Sequence, residues 1–203
     1  MLEAGELECE RGGRTLFRGV SFTLAGGELL RIAGPNGSGK TSLLRILCGL
    51  LTPSRGEVRW RGASVRRLAE EYSRQLVYIG HASALKDDLT PYENLDIAGR
   101  LVGVPASTEA LGSALAALAV PDLPVRKLSQ GQRRRAALAR LLMSQRLPLW
   151  LLDEPFAALD TAAAAYAEGL IARHLETGGS VVYTTHQAAA IDSRARVIDL
   201  AAH

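Results

Sequence analysis

The sequence predicts an α/β fold with a mainly parallel core sheet, antiparallel strands near the N-terminus and an inserted helical subdomain. Three observations lead there. Leu149, Trp150, Leu151 and Leu152 form a continuous apolar run, as a parallel strand buried on both faces does. Strand-like and helix-like periodicities alternate along the chain, the pattern of strands joined by crossover helices. A glycine-rich loop from Gly34 to Thr41 joins an apolar run (Leu29, Leu30, Ile32) to an amphipathic one (Leu43, Leu44, Ile46, Leu47).

The elements follow in order. Leu7 with Cys9, and then Val20, Phe22 and Leu24, alternate with polar residues and read as strands. Gly26-Gly27 turns the chain into the strand before the loop. The helix from Lys40 ends near Gly49, with Pro53 just beyond, a common helix stop. Residues 57–61, between Gly56 and Gly62, read as a strand, and Leu76–Ile79 as another. From His81 to about Arg146 the pattern is helical, punctuated by Pro91, Pro105, Pro121 and Pro124. A helix over Thr161–Glu176 stops at Gly178-Gly179, and residues 181–183 and 197–200 supply the last strands. One globular unit, 1–203, therefore divides into a core of 1–80 and 147–203 and a helical subdomain of about 81–146.

Composition narrows the function classes. Apolar content of 47% with a net charge of only +3 fits a folded domain and excludes a disordered tail. The basic residues are scattered, and Arg133-Arg134-Arg135 reads as a solvated helix face, so no nucleic-acid partner is expected. Cys9 and Cys48 fit no metal spacing and read as ordinary thiols of a reducing compartment. The acidic start has no apolar core of a signal peptide, and no run approaches the roughly 18 apolar residues of a spanning helix. A cytoplasmic location is expected, with any membrane pathway supplied by another polypeptide.

The loop Gly34-Pro35-Asn36-Gly37-Ser38-Gly39-Lys40-Thr41 is a complete phosphate-binding loop. Its glycines let the backbone wrap a pyrophosphate, and the N–H groups opening the next helix, through Ser42, point at the anion. Lys40 reaches the β- and γ-phosphates and the Thr41 hydroxyl binds Mg²⁺. Only 3 lysines stand against 21 arginines, so Lys40 is no product of lysine-rich composition. The chain is expected to bind ATP with Mg²⁺.

Further along lie Leu128-Ser129-Gln130-Gly131-Gln132, then Asp153-Glu154 after the apolar run, then Ala158-Leu159-Asp160, then His186. In that order they resemble the signature sequence, Walker B strand, D-loop and switch histidine of the ATP-binding-cassette ATPases. The resemblance covers essentially the whole chain and implies the P-loop NTPase, ABC nucleotide-binding fold. Gln130 replaces the commoner Gly. The resemblance implies that Asp153 holds the Mg²⁺ shell and Glu154 is the general base for the attacking water. It implies that His186 contacts the γ-phosphate and that Asp160 lies at a subunit interface. Ser129, Gln130, Gly131 and Gln132 would then grip the partner's ATP in a head-to-tail homodimer.

Three classes remain: a transporter ATPase with separate membrane subunits, a soluble cassette ATPase, and a non-hydrolysing binding module. Only 88 residues separate Lys40 from Ser129, without heptads, which disfavours the second; Glu154 and His186 disfavour the third. Two departures mark a subfamily. His81 stands where most cassettes carry the Q-loop glutamine, and is expected to act at Mg²⁺ or the water. Arg11 falls near the place of the adenine-stacking aromatic, where a guanidinium can stack instead. With Leu149-Trp150-Leu151-Leu152-Asp153-Glu154-Pro155-Phe156 and a short C-terminus, these resemble the ATP-binding subunits of haem exporters of bacterial cytochrome c maturation. That implies integral membrane subunits as partners and a peripheral seat on the cytoplasmic face of the inner membrane. A different small exporter stays open as the alternative.

Overall fold

The structure, a computed structural model, describes residues 1–101, 103, 105–186 and 189–203. In β1 (Leu2–Arg11) the buried positions are Leu2, Ala4, Leu7 and Cys9, so the inward parity changes midway. The change falls where Glu6 takes a left-handed φ of 48° and the register slips, a bulge that restores the apolar face. β2 (Arg14–Leu24) changes parity likewise between Phe17 and Val20, around Gly19 at φ 66°. Both strands therefore keep one face inward over their whole length.

After β3 (Leu29–Ala33) and α1 (Lys40–Leu47) come β4 (Arg55–Trp60), β5 (Ala63–Ser64), α2 (Ala69–Ser73) and β6 (Leu76–Ile79). The helical stretch holds α3 (Pro91–Leu101), α4 (Thr108–Ala117) and α5 (Gln130–Met143). The chain closes with β7 (Leu149–Asp153), α6 (Thr161–Glu176), β8 (Ser180–Thr184) and β9 (Arg196–Asp199). The strands form two sheets. One is antiparallel in the order β2-β1-β4-β5, and the other is parallel in the order β6-β7-β8-β3-β9.

Alternate residues of β7 serve two cores. Leu149 and Leu151 pack with Leu43, Leu44 and Leu47 of α1 and with Leu2, Leu7 and Phe17 of the antiparallel sheet. Trp150 and Leu152 face the other way, onto Leu138 and Leu141 of α5 and Leu170 and Ile171 of α6. The layers are thus antiparallel sheet, α1, parallel sheet and the remaining long helices. All five residues of β7 are buried, which explains its unbroken apolar sequence. Truncating fully buried Leu151 to Ala is expected to cost about 3 kcal/mol.

The antiparallel strands expected near the N-terminus form a sheet of their own. The structure corrects several other expectations. Residues 81–90 take no α-helical form. Asn94, in the first turn of α3, accepts from Lys86 N at 2.7 Å and donates to Thr90 O at 2.9 Å, holding this segment as a loop. β9 stops at Asp199, and Leu200 opens a single 3₁₀ turn. β5 and α2 are too short to leave a periodicity. The basic run is not a solvated face, because Arg134 is only 5% exposed.

Candidate active site

Because the five core strands are parallel, β3, β6, β7 and β8 release their following residues at one edge of the sheet. Open α/β sheets bind ligands in the crevice outside this edge. The loop after β3 runs into α1, Gly80-His81 follows β6, Glu154 follows β7, and Thr185-His186 follows β8. β8 lies between β3 and β7, so His186 enters between the glycine-rich loop and Glu154.

These segments enclose a cavity of about 470 Å³. Asn36, Gly37, Gly39, Lys40, Thr41 and Ser42 form one wall, and His81, Asp153, Glu154 and His186 face them. The loop is shaped by close packing. At Gly39, φ is 99° and a Cβ would lie 2.9 Å from the Phe17 ring, so only glycine fits there. Gly39 also caps α1 without a side-chain hydrogen bond, leaving the first N–H groups of the helix to an anion. Lys40 is buried, its Nζ donating to Gly34 O at 2.8 Å and Pro35 O at 3.0 Å. Ser38 sits behind the loop with a buried Oγ.

Asp153 is 2% exposed and its two oxygens are each held by a hydroxyl. Thr41 Oγ1 donates to Oδ2 and Thr184 Oγ1 to Oδ1, both at 2.8 Å. A carboxylate and a hydroxyl side by side are hard oxygen donors suited to Mg²⁺, which keeps further ligands from phosphate and water. Among the described residues no cluster of three or more His, Cys, Asp or Glu could hold a metal. The donor set thus fits a cation that shares its shell with a nucleotide, not one caged by protein.

Glu154 follows in a left-handed conformation, φ 53°, uncommon for a residue with a side chain. Its N–H donates to Thr184 Oγ1 at 2.9 Å. One carboxylate oxygen accepts from the His186 N–H at 3.2 Å, and the other lies 3.4 Å from His186 Nε2. The His186 ring is half-exposed while the Glu154 side chain is mostly covered. His81 is exposed and reaches the same cavity.

Arg11 does not line this cavity. It ends β1 opposite Arg14, exposed, and Leu16 of β2 supplies the apolar surface beside the loop. Leu16 and Phe17, after the turn, are the hairpin residues that a Cβ at Gly39 would meet.

The signature residues stand apart from the cavity. Ser129 caps α5, accepting from Gln132 N at 3.2 Å, and the Gln132 side chain accepts from Ser129 N at 2.8 Å. This reciprocal box fixes the helix start. Ser129 and Gln130 are exposed. A Cβ at Gly131 would lie 2.6 Å from Ala158 O, so glycine there lets α5 meet the segment after Glu154. Asp160 is exposed and caps α6 through Ala163 N at 2.8 Å.

Two residues of the site went unread. Thr184 orients both acidic residues, and its signal was a polar residue closing an apolar strand. Arg134 donates through Nη1 to Gly80 O at 2.8 Å and through Nη2 to Asp153 O and to Glu154 O, the last at 2.6 Å. It shares a helical face with Ala137, Leu138 and Leu141, all fully buried, and that spacing marks it as inward. Burial pushes the thiols of Cys9 and Cys48 up, as suits unreactive cysteines.

Fold and site together define an ABC ATPase, and the chain belongs to the ABC transporter family, whose profile matches residues 17–157. It is similar to a cytochrome c biogenesis ATP-binding export protein of Dechloromonas aromatica (strain RCB), 51% identical over 92% of this chain and 93% of that relative. A relative of the same name in Aromatoleum aromaticum is 51% identical over 98% of this chain and 95% of its own length. Among solved structures, a dimeric post-hydrolysis ATP-binding cassette with ADP and Pi superposes with a TM-score of 0.84, at 24% identity, over 98% of this chain and 94% of that one.

Proposed function

We propose that this chain is the ATP-hydrolysing subunit of a haem-export complex of cytochrome c biogenesis, bound peripherally to integral membrane subunits at the cytoplasmic face of the inner membrane. The observation that carries hydrolysis is the bonded series Thr41–Asp153–Thr184 with Glu154 as its next residue. The pathway rests on about half identity, over nearly the whole length, to proteins named for cytochrome c biogenesis export. Haem as the cargo rests on the subfamily resemblance of the sequence.

Gly34, Pro35, Asn36, Gly37, Ser38, Gly39 and Ser42 form the backbone cradle for the phosphates, and Lys40 exchanges its carbonyl partners for phosphate oxygens. Thr41 and Asp153 would hold Mg²⁺, which neutralises developing phosphate charge when bound. Glu154 takes a proton from the attacking water as its oxygen bonds to the γ-phosphorus and the bond to ADP breaks. The His186 N–H fixes one carboxylate oxygen of Glu154, and its half-exposed ring, beside the other, would turn to the γ-phosphate. His81, which lines the same cavity, would offer a ring nitrogen to Mg²⁺ or the water. Ser129, Gln130, Gly131 and Gln132 lie outside the chain's own cavity, the first two exposed, and fit a head-to-tail homodimer in which each signature closes over the partner's ATP. Asp160 then lies at that interface.

Complementation tests the whole reading. A host lacking this gene should fail to make holo-cytochrome c, the intact gene should restore it, and a Glu154→Gln copy should not. Normal holo-cytochrome c in the deletion strain overturns the pathway.

A further inference from the structure

Arg134, on α5, is 5% exposed, and all three of its acceptors are backbone carbonyls. The β6–β7 ladder ends at the pair Ile79 and Leu152. Gly80, Asp153 and Glu154, whose carbonyls Arg134 holds, are the residues just beyond. The guanidinium therefore continues the joint between the two strands where backbone pairing stops, and a planar fork of donors suits that task.

An arginine is an expensive way to fill this place. Burial weakens its hold on the proton, only partly offset by the charges of Asp153 and Glu154. An apolar residue on the face of Ala137, Leu138 and Leu141 would pack without that penalty. What the arginine supplies is position. Glu154 sits at φ 53°, a strained backbone that persists only where its surroundings hold it. Its peptide groups are gripped from both sides, the N–H by Thr184 Oγ1 and the carbonyl by Arg134. The same helix carries Ser129 and Gly131 at its start, and Gly131 rests against Ala158 O.

We propose that Arg134 is a positioning residue that fixes the backbone of Glu154 to α5, so that the seating of the signature helix sets the aim of the Glu154 carboxylate. A shift of α5 then moves Glu154 through Arg134 and the following loop through Gly131, and draws on Gly80, the neighbour of His81. The proposal rests on the reading of Glu154 as the base.

The test uses the full chain, with ATPase rate at saturating ATP, affinity for a fluorescent ATP analogue, and thermal melting as a check on folding. Arg134→Gln should lower kcat by about ten- to a hundredfold, because small misplacement of a base is costly, while affinity stays within about twofold. Arg134→Lys, which keeps the charge but not the fork, should fall between. In a Glu154→Gln background, Arg134→Gln should change the residual rate by less than about twofold, since the two act as one unit. Wild-type kcat in folded Arg134→Gln and Arg134→Lys, with Glu154→Gln inactive, overturns the positioning role and leaves the base intact. Parallel loss of rate and nucleotide affinity marks a merely structural arginine and also overturns it. Should the Gln variant fail to fold, the Lys variant decides by the same split. A Glu154→Gln chain that hydrolyses normally removes the base itself.

Discussion

Asp153 and Glu154 are adjacent carboxylates whose surroundings assign them different work. Asp153 has both oxygens held by hydroxyls and cannot turn. Glu154 has one oxygen fixed by the His186 N–H, the other buried without a hydrogen-bond partner, 3.4 Å from His186 Nε2. Glu154→Gln keeps the shape and removes the proton acceptor, so ATP binding should persist while hydrolysis falls by about a thousandfold or more, as losses of a catalytic group do. Lys40→Ala should instead lose nucleotide affinity; titration and phosphate release measure the two. His174 makes a second residue-scale prediction. It is 1% exposed, stacked on Trp150 with ring centroids 3.8 Å apart, and burial lowers its pKa to about 4, weakly opposed by the Gln145 backbone. The unfolded chain binds this proton from about pH 6.5 downward, the folded chain only near 4. His174 therefore leaves stability intact above about pH 6.5 and erodes it as pH falls toward 4, by roughly 3 kcal/mol in all. Melting temperatures at pH 7.5 and 5 should differ less for His174→Leu than for the wild type. Equal differences would remove His174 from the acid response. Helical spacing sets it on the buried face of α6 with Ala167, Leu170 and Ile171.

Elements differ in how plainly the sequence announces them. β7 and the glycine-rich loop were legible because their chemistry is local: an apolar run needs two covered faces, and phosphate-wrapping backbone needs glycine. The helical stretch was legible in kind but not in extent. Residues 81–90 look helical by composition, yet Asn94 ties their backbone to α3 through contacts that no periodicity reports. The division into two sheets was invisible because alternation describes a strand's faces and says nothing of its neighbours. Arg11 illustrates the same limit: the resemblance set it near the place of the adenine-stacking aromatic, and among the β1–β2 hairpin residues it is Leu16 that lines the cavity. Arg134 was misread because three consecutive arginines suggest a solvated face, although on a helix consecutive residues point 100° apart. The capping box at Ser129 shows what the signature contributes at this scale. The Ser129 hydroxyl accepts from Gln132 N and still has its own hydrogen to donate outward from an exposed helix start.

At the scale of the whole molecule, the cavity holds only one half of the expected ligand set. The phosphate loop, Asp153, Glu154 and His186 converge, while Ser129 and Gly131 open a helix elsewhere on the surface. The proposed head-to-tail dimer would repair this by pairing each cavity with the partner's signature, and two-fold symmetry is the commonest oligomer arrangement. Mixing two defective chains tests the pairing. Lys40→Ala lacks a working phosphate loop but keeps its signature; Ser129→Arg keeps the loop but sets a bulky cation where the partner's γ-phosphate docks. Each homodimer has no intact site. In the heterodimer the loop of the Ser129→Arg chain meets the signature of the Lys40→Ala chain, so one composite site is whole. If residues of a single chain completed the site, mixing would restore nothing, because every chain carries a lesion. ATP-dependent dimers in gel filtration, formed by the mixture and by neither variant alone, are the expected result. Dimerisation of Ser129→Arg alone at the wild-type ATP concentration would show that the signature does not close over a partner's nucleotide.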